Sequence, residues 1–512
     1  MNEAERALIV HTQSGAVEGV WCGDRQVRTF KGVPYASPPV GDLRWRPPQP
    51  PVKWDGVRPA KAFGPRSIQF DRDIASISYF GPEPQSEDCL FLNIWTAAES
   101  AAEKRPVMVW FHGGAFAVGS GAVPIFNGEA LARRGAIVVT VNQRLGVLGF
   151  LAHPELTAES PHGSSGNYGL LDLIEALRWV RDNIAAFGGD PDCVTIFGQS
   201  VGSSSVNVLM ASPLARGLFH RAIAQSGGLM APLGKPGGGS MYVRAIGEKF
   251  GERYADYLGA RSIADMRAIP AESIQLSWPS SLGRSPVTVF DGWFLPEEVH
   301  ETYKAGRQAH VPLIAGSNRS EGATLPAPAD WPALRRWLDS EYGAHAQMVL
   351  DCYGETGDAS ELGRLIRGHI TFNWQNWVQA CEHARSSDSN VYAYFFDRAP
   401  PLPPGMPCFE NRSERLGVFH TAEIHYVFGT LNARPWPWRA SDYEASETIM
   451  SYWINFARTG DPNGVGLPEW PTFSGPAESV QTFGDTIRSG AHPLCRELAM
   501  WDDCMTQLRA AG

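Results

Sequence analysis

A glycine-flanked serine is the strongest chemical signal in this 512-residue sequence. Gly198, Ser200 and Gly202 form a G-x-S-x-G pattern that directly follows the apolar run Cys193–Phe197 and opens a helix-compatible stretch. In that setting the chain turns sharply from strand to helix, and the serine hydroxyl is lifted clear of the sheet. The pattern therefore predicts a nucleophilic serine, and an ordinary turn serine is the alternative.

A second glycine-rich sequence could supply the groups that such a serine needs. When a serine attacks a carbonyl, hydrogen-bond donors must face the oxyanion that forms. Gly113 and Gly114 follow the apolar run Val107–Phe111, so their backbone N–H groups are expected at the end of a strand. With the N–H of Val201 they would form an oxyanion hole. Each motif alone also fits a plain turn, but the two together favour a hydrolase.

The elements that must hold these groups are predicted to form a parallel sheet with crossover helices on both faces. The clearest helix is predicted over Tyr168–Phe187, where one apolar stripe ends at two glycines. Near the N-terminus, Val10–Val20 and Gln26–Phe30 are predicted to pair as an antiparallel hairpin at the sheet edge. The predicted central strands are Val107–Phe111, Ala136–Val141, Cys193–Phe197, Arg221–Gln225 and Val311–Ala315. The predicted insertions are Gly234–Ser240, Glu321–Ser389 and Pro400–Pro407.

Several longer stretches occur in an order typical of one family. They are FKGVPYA (Phe30–Ala36), SEDCLFLNIW (Ser86–Trp95), HGGAF (His112–Phe116), NYGLLD (Asn167–Asp172), FGGDPDCVTIFGQSVGSSS (Phe187–Ser205), AIAQSGG (Ala222–Gly228), HTAEIHYVFG (His420–Gly429) and FARTGDPN (Phe456–Asn463). With these stretches nearly the whole chain resembles the type-B carboxylesterases, an α/β-hydrolase family that also contains the cholinesterases and the noncatalytic neuroligins. The resemblance implies one α/β-hydrolase domain over residues 1–512. Its large, mostly parallel sheet would carry helices on both faces, and inserts at about 231–310 and 321–408 would cover the active site.

The resemblance also implies the partners of the serine, Glu321 as the acid and His420 as the base. The residue pattern agrees, because Glu321 follows the predicted strand Val311–Ala315 and the chain order is Ser200, Glu321, His420. In such a triad the acid orients the imidazole, which takes the serine proton. The alternatives by position are His425 for the base and Asp291 or Asp330 for the acid.

Other matched residues are expected to support the site. Ser226 resembles a second serine that hydrogen-bonds near the triad acid. Gln199 stands where the commonest family form has glutamate. The loss of that negative charge is expected to affect substrate specificity more than the triad. We expect the enzyme to prefer neutral esters to choline-type esters. Candidate pocket residues are Phe372, Trp374, Trp377 and Phe396, although an aromatic residue in a helix more often belongs to the core.

The resemblance further implies two buried ion pairs, Arg44 with Glu87 and Arg144 with Asp172, as parts of the scaffold. It also reveals a departure, since Ser67 stands where the family commonly has the disulfide partner of Cys89. The eight cysteines show no CxxC pair. Together these features favour reduced thiols and a cytoplasmic protein.

Composition excludes several other classes. The chain has 44 Lys and Arg against 54 Asp and Glu, a net charge of −10, and no basic run that could follow nucleic acid. The apolar stretch near the N-terminus is too short for a signal peptide, and none is long enough to cross a membrane. We expect no cofactor, no metal and a small-molecule ester as substrate. The oligomeric state stays open.

The sequence therefore predicts a serine carboxylesterase that works through an acyl-enzyme. One alternative keeps the same triad but acts on a carbamate, anilide or amide. A remote alternative is a neuroligin-like binding protein without catalysis.

Overall fold

The structure is a computed structural model that describes residues 8–71, 81, 83–232, 241–279, 288–406, 415–476 and 479–511. In chain order the strands are Ile9–Thr12 (β1), Gly15–Glu18 (β2), Val20–Trp21 (β3), Arg28–Pro34 (β4), Val57–Pro59 (β5), Phe91–Thr96 (β6), Arg105–Phe111 (β7), Ile137–Val141 (β8), Gly189–Gln199 (β9), Arg221–Gln225 (β10), Met241–Val243 (β11), Thr288–Phe290 (β12), Leu313–Asn318 (β13), Val391–Phe396 (β14), Ser479–Phe483 (β15) and Ile487–Ala491 (β16).

The α-helices are Glu129–Arg133 (α1), Gly146–Phe150 (α2), Pro154–Glu159 (α3), Tyr168–Asn183 (α4), Val201–Ala211 (α5), Arg244–Leu258 (α6), Ile263–Ala268 (α7), Ala271–Gln275 (α8), Val299–Lys304 (α9), Trp331–Tyr342 (α10), Ala346–Tyr353 (α11), Ala359–Gly368 (α12), Trp374–Ser386 (α13), Ile424–Phe428 (α14), Ala440–Thr459 (α15) and Cys495–Ala511 (α16). A π-helical turn, His369–Asn373, joins α12 to α13. Among the described residues, no helix is long and apolar enough to cross a membrane.

One mixed sheet of 11 strands organises these elements, in the order β16-β15-β14-β13-β10-β9-β7-β8-β6-β4-β3. Every neighbouring pair from β15 to β8 is parallel, and the pairs beyond them are antiparallel. Parallel neighbours bring their carboxyl ends to the same edge of a sheet. The loops that follow β7, β9, β10 and β13 therefore meet at one edge.

The sheet separates two hydrophobic cores. Val109 of β7 packs in the core that contains Ile174 of α4, whereas the next residue, Trp110, packs in the core that contains Trp453 of α15. Side chains alternate between the faces of a strand, so a sheet that is apolar at consecutive positions must be covered on both sides. The predicted layering, with helices on both faces, is confirmed.

Several local predictions change in detail. The helix predicted over Tyr168–Phe187 is confirmed as α4 followed by the 3₁₀ turn Ile184–Phe187. The hairpin predicted between Val10–Val20 and Gln26–Phe30 is confirmed only at its inner end, where Val20 of β3 pairs antiparallel with Thr29 of β4. The rest of the first segment differs, because the chain already reverses before Gly15 and β1 pairs with β2. Gly15 has φ 150°, a backbone conformation that residues with a Cβ rarely adopt, and this conformation allows the early reversal.

The inserts are described only in part. Glu321–Ser389 contains α10 to α13 and the π-helical turn. Gly234–Ser240 lies wholly outside the described residues, and so does Pro407, the last residue of Pro400–Pro407. The insert boundaries at about 231–310 and 321–408 stay predictions.

Both predicted ion pairs are confirmed. Arg44 Nε lies 2.5 Å from Glu87 Oε1, and Arg144 Nη2 lies 2.6 Å from Asp172 Oδ1. The side chains of Arg144 and Asp172 are 2% and 0% exposed. Removing one partner of such a pair would leave an uncompensated buried charge, so these residues belong to the scaffold.

Candidate active site

Ser200 occupies a strained turn between β9 and α5. Its backbone has φ 60° and ψ −127°, which is rare for a residue with a side chain, and its N–H donates to the Gln225 carbonyl at 2.9 Å. The flanking glycines make the turn possible. A Cβ on Gly202 would lie 2.0 Å from the Phe111 carbonyl oxygen, and one on Gly198 would lie 2.5 Å from the Gly202 carbonyl. Strain of this kind typically marks a functional position.

The loop after β7 passes directly against this turn. A Cβ on Gly113 would lie 3.1 Å from Ser200 Cβ, and Gly114 has φ 118°. Val201 is the first residue of α5, so its N–H has no acceptor within the helix. Gly113 and Val201, two of the three residues expected to donate to an oxyanion, thus flank Ser200 in space and in sequence, and Gly114 is the next residue of the loop.

Buried side chains fix the far end of this loop. Gln69 Oε1 accepts a hydrogen bond from the Gly119 N–H at 2.7 Å, and Gln69 Nε2 donates one to the Gly119 carbonyl at 2.9 Å. The Phe116 carbonyl accepts from the Gly146 N–H at 2.6 Å. A backbone held in this way is preorganised for directional hydrogen bonds.

His420 and Glu321 are paired. His420 Nδ1 lies 2.5 Å from Glu321 Oε2, and Glu321 is completely buried while His420 is 14% exposed. The other Glu321 oxygen accepts the Asn318 N–H at 2.7 Å. His420 Nε2 is buried and has no hydrogen-bond partner among the described residues, so no hydrogen bond joins it to Ser200. This nitrogen is therefore available to a group that binds beside it.

The turn that carries His420 is held by the ends of two strands. Asn318 Nδ2 donates to the Phe419 carbonyl at 2.8 Å, and Gln199 Nε2 donates to the His420 carbonyl at 2.5 Å. The Ser320 N–H adds a bond to the Val418 carbonyl at 2.9 Å. Gln199 was expected to bear on specificity more than on the triad, yet its amide contacts the histidine's own backbone.

A second buried carboxyl, Glu423, lies behind the Glu321–His420 pair. It accepts from Asn318 Nδ2 at 2.7 Å and from Gln225 Nε2 at 3.1 Å. Burial, and to a lesser extent the negative charge of Glu321, raise the pKa of Glu423 to about 7. Asn318 and Glu423 were not predicted from the sequence, although Glu423 stands three residues after His420 in a motif that carried the resemblance.

Phe372 is the candidate aromatic that reaches the site. Its ring stacks on the His420 imidazole with centroids 3.9 Å apart. It lies in the π-helical turn, a feature that often occurs at functional sites. Trp377 is half-buried against the core. Trp374 and Phe396 were also pocket candidates, but the structure places both in the core, 0% and 1% exposed, because their side chains face into the fold.

Ser226 directly follows the neighbouring strand β10 and, like Ser200, has a positive φ. It has φ 55°, and its N–H donates to the Gly316 carbonyl at 2.8 Å. Its hydroxyl is buried without a hydrogen-bond partner among the described residues. The hydrogen bond expected near the acid is therefore not formed, although Ser226 lies at the same sheet edge as the triad candidates.

The alternative residues have structural partners elsewhere. His425 faces the Thr430 carbonyl, and burial lowers the pKa of His425 to about 4. Asp330 caps α10 by accepting the Ala333 N–H at 2.8 Å. Asp291 accepts three backbone N–H groups from the turn that follows β12. None of these contacts involves Ser200.

Comparison with known proteins identifies the family. The model of the carboxylesterase family matches residues 6–332 and 359–501. The chain belongs to the carboxylesterase family. This carboxylesterase is 37% identical over 496 residues to fumonisin B1 esterase of Sphingopyxis macrogoltabida, covering 94% of this chain and 87% of that protein. It is 36% identical over 487 residues to para-nitrobenzyl esterase of Bacillus subtilis, covering 91% and 92%.

A solved carboxylesterase of Geobacillus stearothermophilus has the same fold. Its TM-score is 0.81 at 32% identity, and the match covers 96% of this chain and 100% of that one. The α/β-hydrolase fold and the resemblance to type-B carboxylesterases are confirmed. The protein is a carboxylic ester hydrolase.

Proposed function

We propose that this carboxylesterase acts through Ser200, His420 and Glu321. The observation that carries the proposal is the His420 Nδ1–Glu321 Oε2 hydrogen bond of 2.5 Å beside a serine held in a strained turn. The Glu321 carboxylate accepts a hydrogen bond from the His420 Nδ1–H, and this tautomer leaves the lone pair of Nε2 free to act as a base. The unpartnered state of Nε2 supports this assignment. Contacts of this kind often tighten only when substrate binds.

In the proposed reaction, Ser200 Oγ attacks the ester carbonyl carbon while His420 Nε2 takes its proton. The bond to the alcohol oxygen breaks, and the imidazolium returns the proton to the leaving alcohol. Water then attacks the acyl-enzyme with the same help, and the acid is released. Gly113, Gly114 and Val201 are the proposed oxyanion donors, and their position around Ser200 supports this role.

The proposed substrates are small carboxylic esters. The acyl and alcohol preferences would follow from a series of p-nitrophenyl esters of increasing acyl length. A matched aryl ester, carbamate and anilide would measure how strongly the same triad prefers an ester.

We further infer a reducing, cytoplasmic location. Six cysteines of the part of the chain that the structure describes are free thiols, namely Cys22, Cys89, Cys193, Cys352, Cys381 and Cys495, and Cys408 lies outside that part. The Ser67 hydroxyl hydrogen-bonds the Cys89 thiol at the position where a disulfide partner was expected from the family pattern. Burial raises the pKa of Cys89, which makes this thiol unreactive.

The triad is tested by single substitutions with one matched control. Ser200→Ala should reduce kcat by at least about 10³-fold, because the triad acts as a unit. Glu321→Gln should reduce it by about 10³- to 10⁴-fold, because the amide no longer favours the required tautomer of the imidazole. Asp330→Asn preserves a helix cap and should leave kcat within about twofold. A folded Ser200→Ala protein with more than about 1% of the activity contradicts the proposal.

A further inference from the structure

We propose that Gln199 is a positioning residue that sets the direction of the His420 imidazole by holding the His420 carbonyl. The inference rests on the proposed role of His420 as the catalytic base. Gln199 is the last residue of β9, is 1% exposed, and donates from Nε2 to the His420 carbonyl oxygen at 2.5 Å. It acts from the sheet on a residue that is 221 positions away in the chain.

His420 depends on such a contact because its backbone belongs to no helix or strand. It lies in a turn between an isolated bridge at Phe419 and the start of α14. The Phe419 carbonyl on one side is held by Asn318, but His420 itself is held by Gln199. The side-chain direction follows the backbone, so a rotation of this peptide would move Nε2 away from Ser200. A displacement of about 1 Å in a catalytic group can cost about 10²-fold in rate.

Gln199 also connects the other parts of the site. It directly precedes Ser200, and a Cβ on Gly113 would lie 3.0 Å from Gln199 Oε1. One buried side chain therefore lies between the serine turn, the glycine loop and the histidine turn. A change in its hydrogen bonding would act on the relative placement of all three.

The amide group is required for this contact. An amide nitrogen can donate to a carbonyl oxygen, whereas an ionised carboxylate is only an acceptor. In the commonest family form this position is glutamate, which would place a carboxylate oxygen where Gln199 Nε2 now lies, 2.5 Å from the His420 carbonyl oxygen. The glutamine of this chain therefore does more than remove a negative charge, because its amide forms a direct hydrogen bond to the backbone of His420.

The experiment compares Gln199→Met, which keeps the length but removes the amide, with Gln308→Met as the control. Gln308 is also buried at 1% and donates to Ser386 Oγ at 2.9 Å, in a contact outside the proposed site. Active sites are counted by stoichiometric labelling with a phosphonate, so that kcat refers to labelled sites only. Thermal unfolding is followed in parallel, and Ser200→Ala tests the serine independently.

We expect Gln199→Met to lower kcat per labelled site by about 10- to 100-fold with KM changed less than about threefold, because a misdirected base affects the chemical step rather than binding. Gln308→Met should lose stability but keep its kcat. If Ser200→Ala is inactive and Gln199→Met keeps kcat within twofold, the positioning role is wrong while the serine mechanism stands. If Ser200→Ala stays active, the proposed function itself fails.

Gln199→Glu provides a second test if the methionine variant does not fold. It should also lower kcat, and the acid limb of its pH profile should move to higher pH, because a carboxylate near the imidazole favours the protonated form. Glu321 and Glu423, the carboxyl groups already beside His420, are unchanged in this variant. An unchanged kcat and an unchanged acid limb would overturn the proposal.

Discussion

Gly113→Ala tests the glycine loop at the place where it passes the nucleophile. Gly113 does not have a positive φ, so alanine is compatible with the backbone itself. Its new Cβ would lie 3.0 Å from Gln199 Oε1, 3.1 Å from the Gln199 carbonyl oxygen and 3.1 Å from Ser200 Cβ. These contacts are tighter than almost all real Cβ contacts, so the loop and the serine turn must separate by a few tenths of an ångström.

The separation should weaken the hydrogen bonds to the oxyanion without removing them. Complete loss of one donor typically costs about 10²- to 10³-fold in kcat, so a partial displacement should cost about 10- to 100-fold. This factor corresponds to about 1.4 to 2.7 kcal/mol of lost transition-state stabilisation. KM should change little, because the ground-state ester carries no full negative charge on its carbonyl oxygen.

The assay measures kcat and KM for one p-nitrophenyl ester together with thermal unfolding. Gly23→Ala is the matched control, because a Cβ there has nothing within 4 Å. It should leave all three quantities unchanged. If folded Gly113→Ala keeps kcat within twofold of the original protein, the reasoning that its new contacts displace an oxyanion donor is refuted.

Three further predictions concern the scaffold and the buried charges. Arg144→Met should lower the free energy of unfolding by about 3 to 5 kcal/mol, since it leaves Asp172 buried without its partner. Arg307→Met, at an exposed ion pair, should leave the free energy of unfolding almost unchanged. Thiol counting in denaturant should find all eight cysteines free, and six or fewer in unoxidised protein would contradict the reducing location. Because folding raises the pKa of Glu423 to about 7, its protonated carboxyl contributes up to about 3 kcal/mol to the free energy of unfolding. This contribution is complete below about pH 4.5 and is lost as the pH rises through 7. The stability of Glu423→Gln, measured by denaturant unfolding at several pH values, should lack this decline, and an identical decline in both proteins would refute the assignment.

The triad candidates and the strands before them could be predicted from the sequence because each lies in a local motif. Ser200 and Gly113 follow apolar runs directly, and the structure puts both at strand ends. The contacts that organise the site could not be predicted, since they join residues that are far apart in the sequence. Whether Asn318 reaches the Phe419 carbonyl depends on how β13 aligns with a turn about 100 residues later.

Trp374 was a wrong pocket candidate for a local reason. Sequence patterns assume a constant helical period, but the π-helical turn His369–Asn373 inserts an extra residue before α13. This changes which side chains share a face. Phe372 therefore covers His420, while Trp374, two residues later, lies in the core.

The turn that carries His420 is attached to the sheet largely by side-chain amides, whereas Ser200 is bonded to the sheet through its own backbone. Val418, Phe419 and Ala422, which surround His420, are packed in the core that contains Trp453, so this turn can open only if that core is disturbed. In increasing urea, hydrolysis and tryptophan fluorescence should therefore be lost together. The working lifetime of this esterase in harsh media would then be set by that core rather than by a separate loss of the active site.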